Sequence, residues 1–123
     1  SEQRQLLEDW SQWAFDRAQA ILRQGDLNQA ILTARRIPPN SPLAATASTA
    51  IETWQTQWQQ AEQLEAAFEQ AIVAQQWQSA LSITYQLAQS PLLYWRNQRA
   101  DELLKRLRYT RNQYPQAAPS PVP

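Results

Sequence analysis

Two Ser-Pro-Leu corners, Ser41-Pro42-Leu43 and Ser90-Pro91-Leu92, interrupt a chain that otherwise offers almost nothing to stop a helix. The single glycine is Gly25, and of eight prolines only Pro38, Pro39, Pro42 and Pro91 precede the terminal stretch PQAAPSPVP. Between these breakers Ala, Leu, Gln, Glu and Arg dominate, residues that lose little side-chain freedom on entering a helix. Runs of β-branched residues are missing. Such a chain is expected to be all-α. Its 123 residues, 43% of them hydrophobic, suffice for one domain around a single core.

Apolar spacing divides the chain into about five helices in antiparallel pairs. The first runs from about Glu2 to Gln24, with Ser1 as N-cap and Leu6/Leu7, Trp10, Trp13/Ala14, Arg17/Ala18 and Ile21 as its inward stripe. Gly25 closes it, because glycine enters the left-handed region without a steric penalty. Asp26 caps a second helix from Leu27 to Ile37, with Leu27, Ala30, Ile31 and Ala34 inside. Pro38-Pro39 end it by removing a donor and restricting the residue before. Ser41 and Pro42 read as the cap and first position of a long helix reaching Gln75. Its inner residues are Leu43, Ala47, Ala50/Ile51, Trp54, Trp58, Ala61, Leu64/Glu65, Phe68 and Ile72. The pattern restarts beyond Gln75-Gln76 with Trp77, Ala80/Leu81, Thr84 and Leu87. Ser90-Pro91 opens a last helix to about Asn112, with Leu93, Ala100, Leu103/Leu104, Leu107 and Tyr114 inside.

The two corners belong to a longer echo. GDLNQAILTARRIPPNSPL, from Gly25, aligns with QQWQSALSITYQLAQSPL, from Gln75. Ala30 meets Ala80, Ile31 meets Leu81 and Ile37 meets Leu87. One residue is lost in the second corner, so Ser41 meets Ser90, Ile51 meets Ala100, Trp54 meets Leu103 and Trp58 meets Leu107. Matching apolar positions arise easily between Ala/Leu/Gln-rich helices; a matching break, cap and proline do not. We expect two degenerate repeats of about 50 residues. Copy one spans about 14–58 and copy two about 64–107, within a helical domain 1–114. Residues 115–123 read as a Pro-rich tail or linker.

The run Gly25-Asp26-Leu27-x-x-Ala30-Ile31 resembles the second-helix signature of tetratricopeptide repeats, with Ala14, Ala18 and Ile21 at the matching first-helix positions. The period near 50 differs from that family's 34, and the family's large first-helix aromatic falls on Ala14, beside Trp13. The string Ala30-Ile31-x-x-Ala34-x-x-Ile37-Pro38-x-x-Ser41-Pro42-Leu43, followed by Ile51-x-x-Trp54, is similar to helical repeats common in uncharacterised cyanobacterial proteins. High Gln with Trp on helices fits the same company. The resemblance implies a tetratricopeptide-like helical array with an interaction role. It names no ligand and assigns no catalytic residue.

Formal charge is zero but unevenly placed. Residues 1–36 balance five acids against five Arg, and residues 37–95 carry Glu52, Glu62, Glu65 and Glu69 with no Lys or Arg, a net of −4. Residues 96–123 set Arg96, Arg99, Lys105, Arg106, Arg108 and Arg111 against Asp101 and Glu102, a net of +4. The blocks are expected either to face each other within the domain or to meet head-to-tail between copies. The second arrangement is self-association through an acidic face (Glu52, Glu62, Glu65, Glu69) and a basic face (Arg96, Arg99, Arg106, Arg111).

The chain has no Cys and no His, which removes thiol nucleophiles, zinc thiolates and the commonest general base. Glu62, Glu65 and Glu69 share one helical strip that has the carboxylates for cation binding or acid–base work. Helical bundles that hold two metals normally add His, so a solvated acidic face is the expectation. We therefore expect a non-catalytic chain with no cofactor or metal. The basic last helix, RNQRADELLKRLRYTRNQY, is the alternative route, to nucleic acid or a membrane surface; overall neutrality argues against nucleic acid, and the basic C-terminal turn also suits the helix dipole. No apolar run approaches the roughly 20 residues of a membrane span, and no signal peptide opens the chain. The start at Ser1 and the Pro-rich end read as cuts through a longer protein, a processed N-terminus being the alternative at Ser1.

Six Trp stand out. Trp10/Trp13 and Trp54/Trp58 each share a helix face and are expected to pack between helices, with an exposed binding stripe as the alternative. Tyr94 and Trp95 are the pair expected to be exposed. The expected function is protein–protein interaction or scaffolding within a larger protein. The residues expected to carry partner binding are Arg17, Arg35, Arg36, Tyr85, Tyr94, Trp95, Arg96 and Arg99.

Overall fold

Helix ends in this chain are set by local chemistry that recurs at a fixed spacing. The computed structural model describes residues 1–114, and the expected Pro-rich tail lies outside them. Five helices follow one another: α1 (Glu2–Arg23), α2 (Leu27–Ala34), α3 (Ala44–Val73), α4 (Trp77–Leu87) and α5 (Ala100–Gln113). A π-helical turn, Tyr94–Arg99, runs directly into α5. There is no strand among the described residues. Ser1 Oγ accepts the Arg4 N–H at 3.2 Å and Asp26 Oδ1 accepts the Gln29 N–H at 3.0 Å, so the N-caps expected at these two residues are made. The one expected at Ser41 is not: α3 begins at Ala44, its N-cap is Leu43, and no side chain caps it, because the Ser41 hydroxyl is engaged in the preceding turn.

At the end of α1, Gly25 (φ 95°) donates its N–H to Leu22 O at 3.0 Å and Asp26 donates to Ile21 O at 3.3 Å. This six-to-one and five-to-two pair satisfies carbonyls that the helix itself leaves open. Fifty positions on, Gln75 donates to Ile72 O at 3.1 Å and Gln76 to Ala71 O at 2.8 Å. Gln75 adopts φ 57° there, a left-handed backbone in a residue with a full side chain. The Ser-Pro-Leu corners match as well. Ser41 Oγ accepts the Leu43 N–H at 3.1 Å, and Ser90 Oγ accepts the Leu92 N–H at 3.2 Å. Each serine thus closes a tight turn one step before regular helix begins.

The second helix stops at Ala34, not at Ile37. Arg36 and Ile37 donate instead to Thr33 O and Ala34 O, both at 3.2 Å, a tighter turn forced where Ile37 precedes Pro38.

Sequential helices pack on one another: α1 on α2, α2 on α3, α3 on α4, α4 on α5. The α1/α2 contact is lined by Ala14, Ala18, Ala30 and Ala34, none more than 1% exposed. Small side chains bring the two backbones close and leave no room there for an indole. α3 serves two neighbourhoods. Its first half buries Ala47, Ile51 and Trp54, and its second half buries Phe68, Ala71 and Ile72, much as the sequence pattern indicates. Phe15 of α1 stacks on Trp54 at 6.2 Å, tying the first hairpin to α3.

Two stripes differ from expectation. In α1 the buried face is Ser11, Ala14, Ala18 and Leu22, while Leu6 (67%), Trp10 (42%) and Trp13 (59%) are exposed. The close α2 contact selects the small residues and turns the indoles outward. At the start of the last helix Trp95, not Leu93, is inside, and Tyr114 is 46% exposed. The π turn explains this: Ala100 N–H donates to Trp95 O, a five-residue step. A four-residue step back from Ala100 would point Arg96 into the core, where an unpaired charge is expensive.

Candidate functional site

The expected partner-binding residues fall in several separate places. Arg17 and Arg36 come together in a groove between α1 and α2, of about 350 Å³, with Trp10, Trp13, Ile21 and Gln29. Arg35 lies on the opposite side of α2, in a cleft with Ile51, Glu52 and Gln55 of α3. Tyr85, 58% exposed, borders a larger cleft between α4 and α5 with Trp77, Leu107 and Arg108. Arg96 is exposed and apart from all three.

Tyr94 and Trp95 are not the exposed pair that was expected. Trp95 is 3% exposed, and Tyr94 is half-buried with its ring stacked on Trp58 at 5.5 Å and 8°. Trp95 meets Trp58 edge-on at 5.3 Å and Tyr94 at 5.6 Å, so the three rings form one structural cluster. The indole Nε1 of Trp95 has no hydrogen-bond partner among the described residues. Trp95 therefore cannot meet a partner from solution.

Arg99 is likewise committed. Its guanidinium pairs with Glu65 of α3 and with Glu102 one turn along, at 2.9 Å to the latter. Arg106 grips Glu69 with both nitrogens and lies over the Phe68 ring at 5.8 Å. The Arg106 hydrogen bond holds the Glu69 carboxyl below its ordinary value, and the Arg99 hydrogen bond does the same for Glu102. Glu65 and Glu69 are therefore not the solvated face expected of them: they tie α3 to the last helix within the chain. Glu52 and Glu62 stay exposed. Among the described residues no cluster of acidic side chains is arranged to hold a metal ion. None of the helices described is long and apolar enough to cross a membrane.

These pairs also neutralise part of the basic face of the last helix. Lys105 meets Asp101 at 2.9 Å, and Arg99 and Arg106 meet α3. What remains unusual on the surface is aromatic. Leu6, Trp10 and Trp13 form a stripe on α1 that continues past Arg17 into the α1/α2 groove. Apolar periodicity alone put this stripe inside. The signal against that placement was the parallel run of small residues, Ser11, Ala14 and Ala18, one step round the helix. No protein-family model, curated protein or solved structure matches the chain.

Proposed function

We propose that the chain is a non-catalytic protein-interaction or scaffolding module, built as a tetratricopeptide-like array of two degenerate repeats. The matching left-handed helix ends at Gly25 and Gln75 support the repeat, as do the matching serine turns at Ser41 and Ser90. Paired buried positions agree with it: Ala30 and Ala80 are both 0% exposed, Leu22 and Ile72 are 7% and 8%, and Ile37 and Leu87 are 7% and 0%.

The observation that carries the interaction role is the exposed Trp10–Trp13 pair, set beside Leu6 and lining one groove with Arg17 and Arg36. Indole and guanidinium groups are the side chains most enriched where interfaces draw their binding energy. A contiguous apolar stripe left in water at this position is otherwise unfavourable.

The test is affinity capture with the whole chain as bait, wild type beside a Trp10→Ala/Trp13→Ala variant. Both residues are outside the core, so the variant keeps its helix content and its unfolding free energy within about 0.5 kcal/mol. Proteins held by the wild type and lost by the variant support the proposal. Identical capture by both rejects the groove as the binding site.

A further inference from the structure

Tyr94 shows what fits beside a left-handed helix end in this fold. Its ring lies against Gly25, where an added Cβ would stand 2.5 Å from Cε1 and 2.7 Å from Cδ1, and it stacks on Trp58. The niche is bounded by the residue with positive φ on one side and position 58 on the other. The counterparts in the second half are Gln75, also at positive φ, and Leu107, 49 residues beyond Trp58. Gln75 and Leu107 both line the cleft of about 560 Å³ between the start of α4 and α5, with Leu104, Arg108 and Ser79. Tyr114 leans on Trp77 near this cleft at 5.7 Å and 42°, but no described ring stacks across it as Tyr94 does on Trp58.

The other end of the molecule carries a stripe of matching chemistry. Leu6, Trp10 and Trp13 follow the spacing by which an amphipathic helix enters a groove. Glu2, Asp9 and Asp16, seven residues apart, run alongside, and none has an ion-pair partner among the described residues. Arg108 at the cleft is likewise unpaired among the described residues.

We propose that the chain assembles head-to-tail, the Leu6–Trp10–Trp13 stripe of one copy entering the α4/α5 cleft of the next. An indole takes the place between Gln75 and Leu107 that Tyr94 holds between Gly25 and Trp58, and Arg108 faces Glu2 and Asp9. This rests on the interaction-module reading and names a second copy as the partner of the same α1 stripe. The contact is heterologous, so each added copy still offers one stripe and one cleft, and growth continues beyond a dimer.

Sedimentation velocity across micromolar to near-millimolar concentration tests it. The wild-type mass is expected to rise past that of a dimer, and less so in high salt, because the rim charges are screened. Trp13→Glu spoils the stripe and Ser79→Trp fills the cleft, both at exposed positions, with circular dichroism to verify folding. Each variant alone stays monomeric. Their equimolar mixture forms a 1:1 dimer that does not grow, because one intact stripe meets one intact cleft. A wild type that is monomeric throughout overturns the proposal, and so does a mixture that stays monomeric while the wild type associates. A monomeric wild type that still loses captured proteins on Trp10/Trp13 substitution rejects self-assembly and leaves the interaction-module reading standing. Failure of both experiments rejects both.

Discussion

Replacing Gly25 by Ala perturbs backbone and aromatic packing together, and a double-mutant cycle with Tyr94 separates the two. At φ 95° an L side chain is strained, by about 1–2 kcal/mol. The new Cβ also overlaps the Tyr94 ring, with approaches of 2.5 and 2.7 Å that no neighbour can absorb without moving. Displacing the ring forfeits about 1 kcal/mol of stacking on Trp58 and adds about 1–2 kcal/mol of overpacking. Gly25→Ala is therefore expected to destabilise by about 3–5 kcal/mol, a large part of the 5–15 kcal/mol typical of a domain. Tyr94→Ala alone truncates a half-buried ring and loses about 2–3 kcal/mol. In that background Gly25→Ala retains only its backbone part, about 1–2 kcal/mol. The double variant should then be more stable than the sum of the singles implies by about 2–3 kcal/mol. Urea unfolding followed by far-UV circular dichroism reads all four corners, provided the m-value is constant across them. A loss below about 1 kcal/mol for Gly25→Ala, or strict additivity, would refute the placement of the Tyr94 ring against the Gly25 turn.

Gln75→Gly should do the reverse, since φ 57° is strained for Gln and free for Gly; a stabilisation of about 0.5–1 kcal/mol and a midpoint a few degrees higher are expected in a thermal melt. A lower melting temperature would show that Gln75 gains more from its side chain than its backbone loses. Acid sensitivity follows from the Glu69–Arg106 and Glu102–Arg99 pairs. Each carboxyl is held below its ordinary 4.5, so its contribution is complete above 4.5 and is lost as pH falls through the lowered folded values. Glu69→Gln should therefore lose less stability than wild type when unfolding is followed from neutral pH down through 4.5, and superimposable profiles would rule the pair out as a source of acid sensitivity.

What could be read in advance was what a single residue or a long period decides. Gly25, Asp26 and Ser1 announce their turns and caps through their own chemistry, and the inner face of α3 repeats over 30 residues, long enough to average out ambiguity. Gln75 gave no warning, because its left-handed backbone comes from the turn and not from the residue. Hydrophobic weight favours Trp10 and Trp13 as the inner face of α1, whereas the close α2 contact needs Ser11, Ala14 and Ala18. Trp95 turns inward because a π turn adds one residue to the step, where side-chain periodicity presumes four. The candidate groove followed suit. Arg17 and Arg36 are among the residues expected to bind a partner, but apolar spacing places the indoles between them in the core.

Those indoles also separate what the two halves share from what they do not. Positions that must be apolar in both halves are so: Ala18 and Phe68 are 0% exposed, and Ala30 and Ala80 are 0% exposed. Groove positions diverge. Fifty residues beyond Trp10, Trp13 and Arg17 stand Gln60, Gln63 and Ala67, all exposed and none aromatic or charged. The fold therefore has no need of an aromatic at these positions, since the second half closes its hairpin without one. Burial does not account for Trp10 and Trp13 in the first half, and neither does helix propensity, which ranks Trp below the Gln found in the second. Two large apolar rings left in water beside Leu6 forgo the gain of burial that Trp54 and Trp95 obtain. A ligand covering the stripe would restore that gain, and this is the physical ground for placing the proposed interaction on α1 and not on its counterpart.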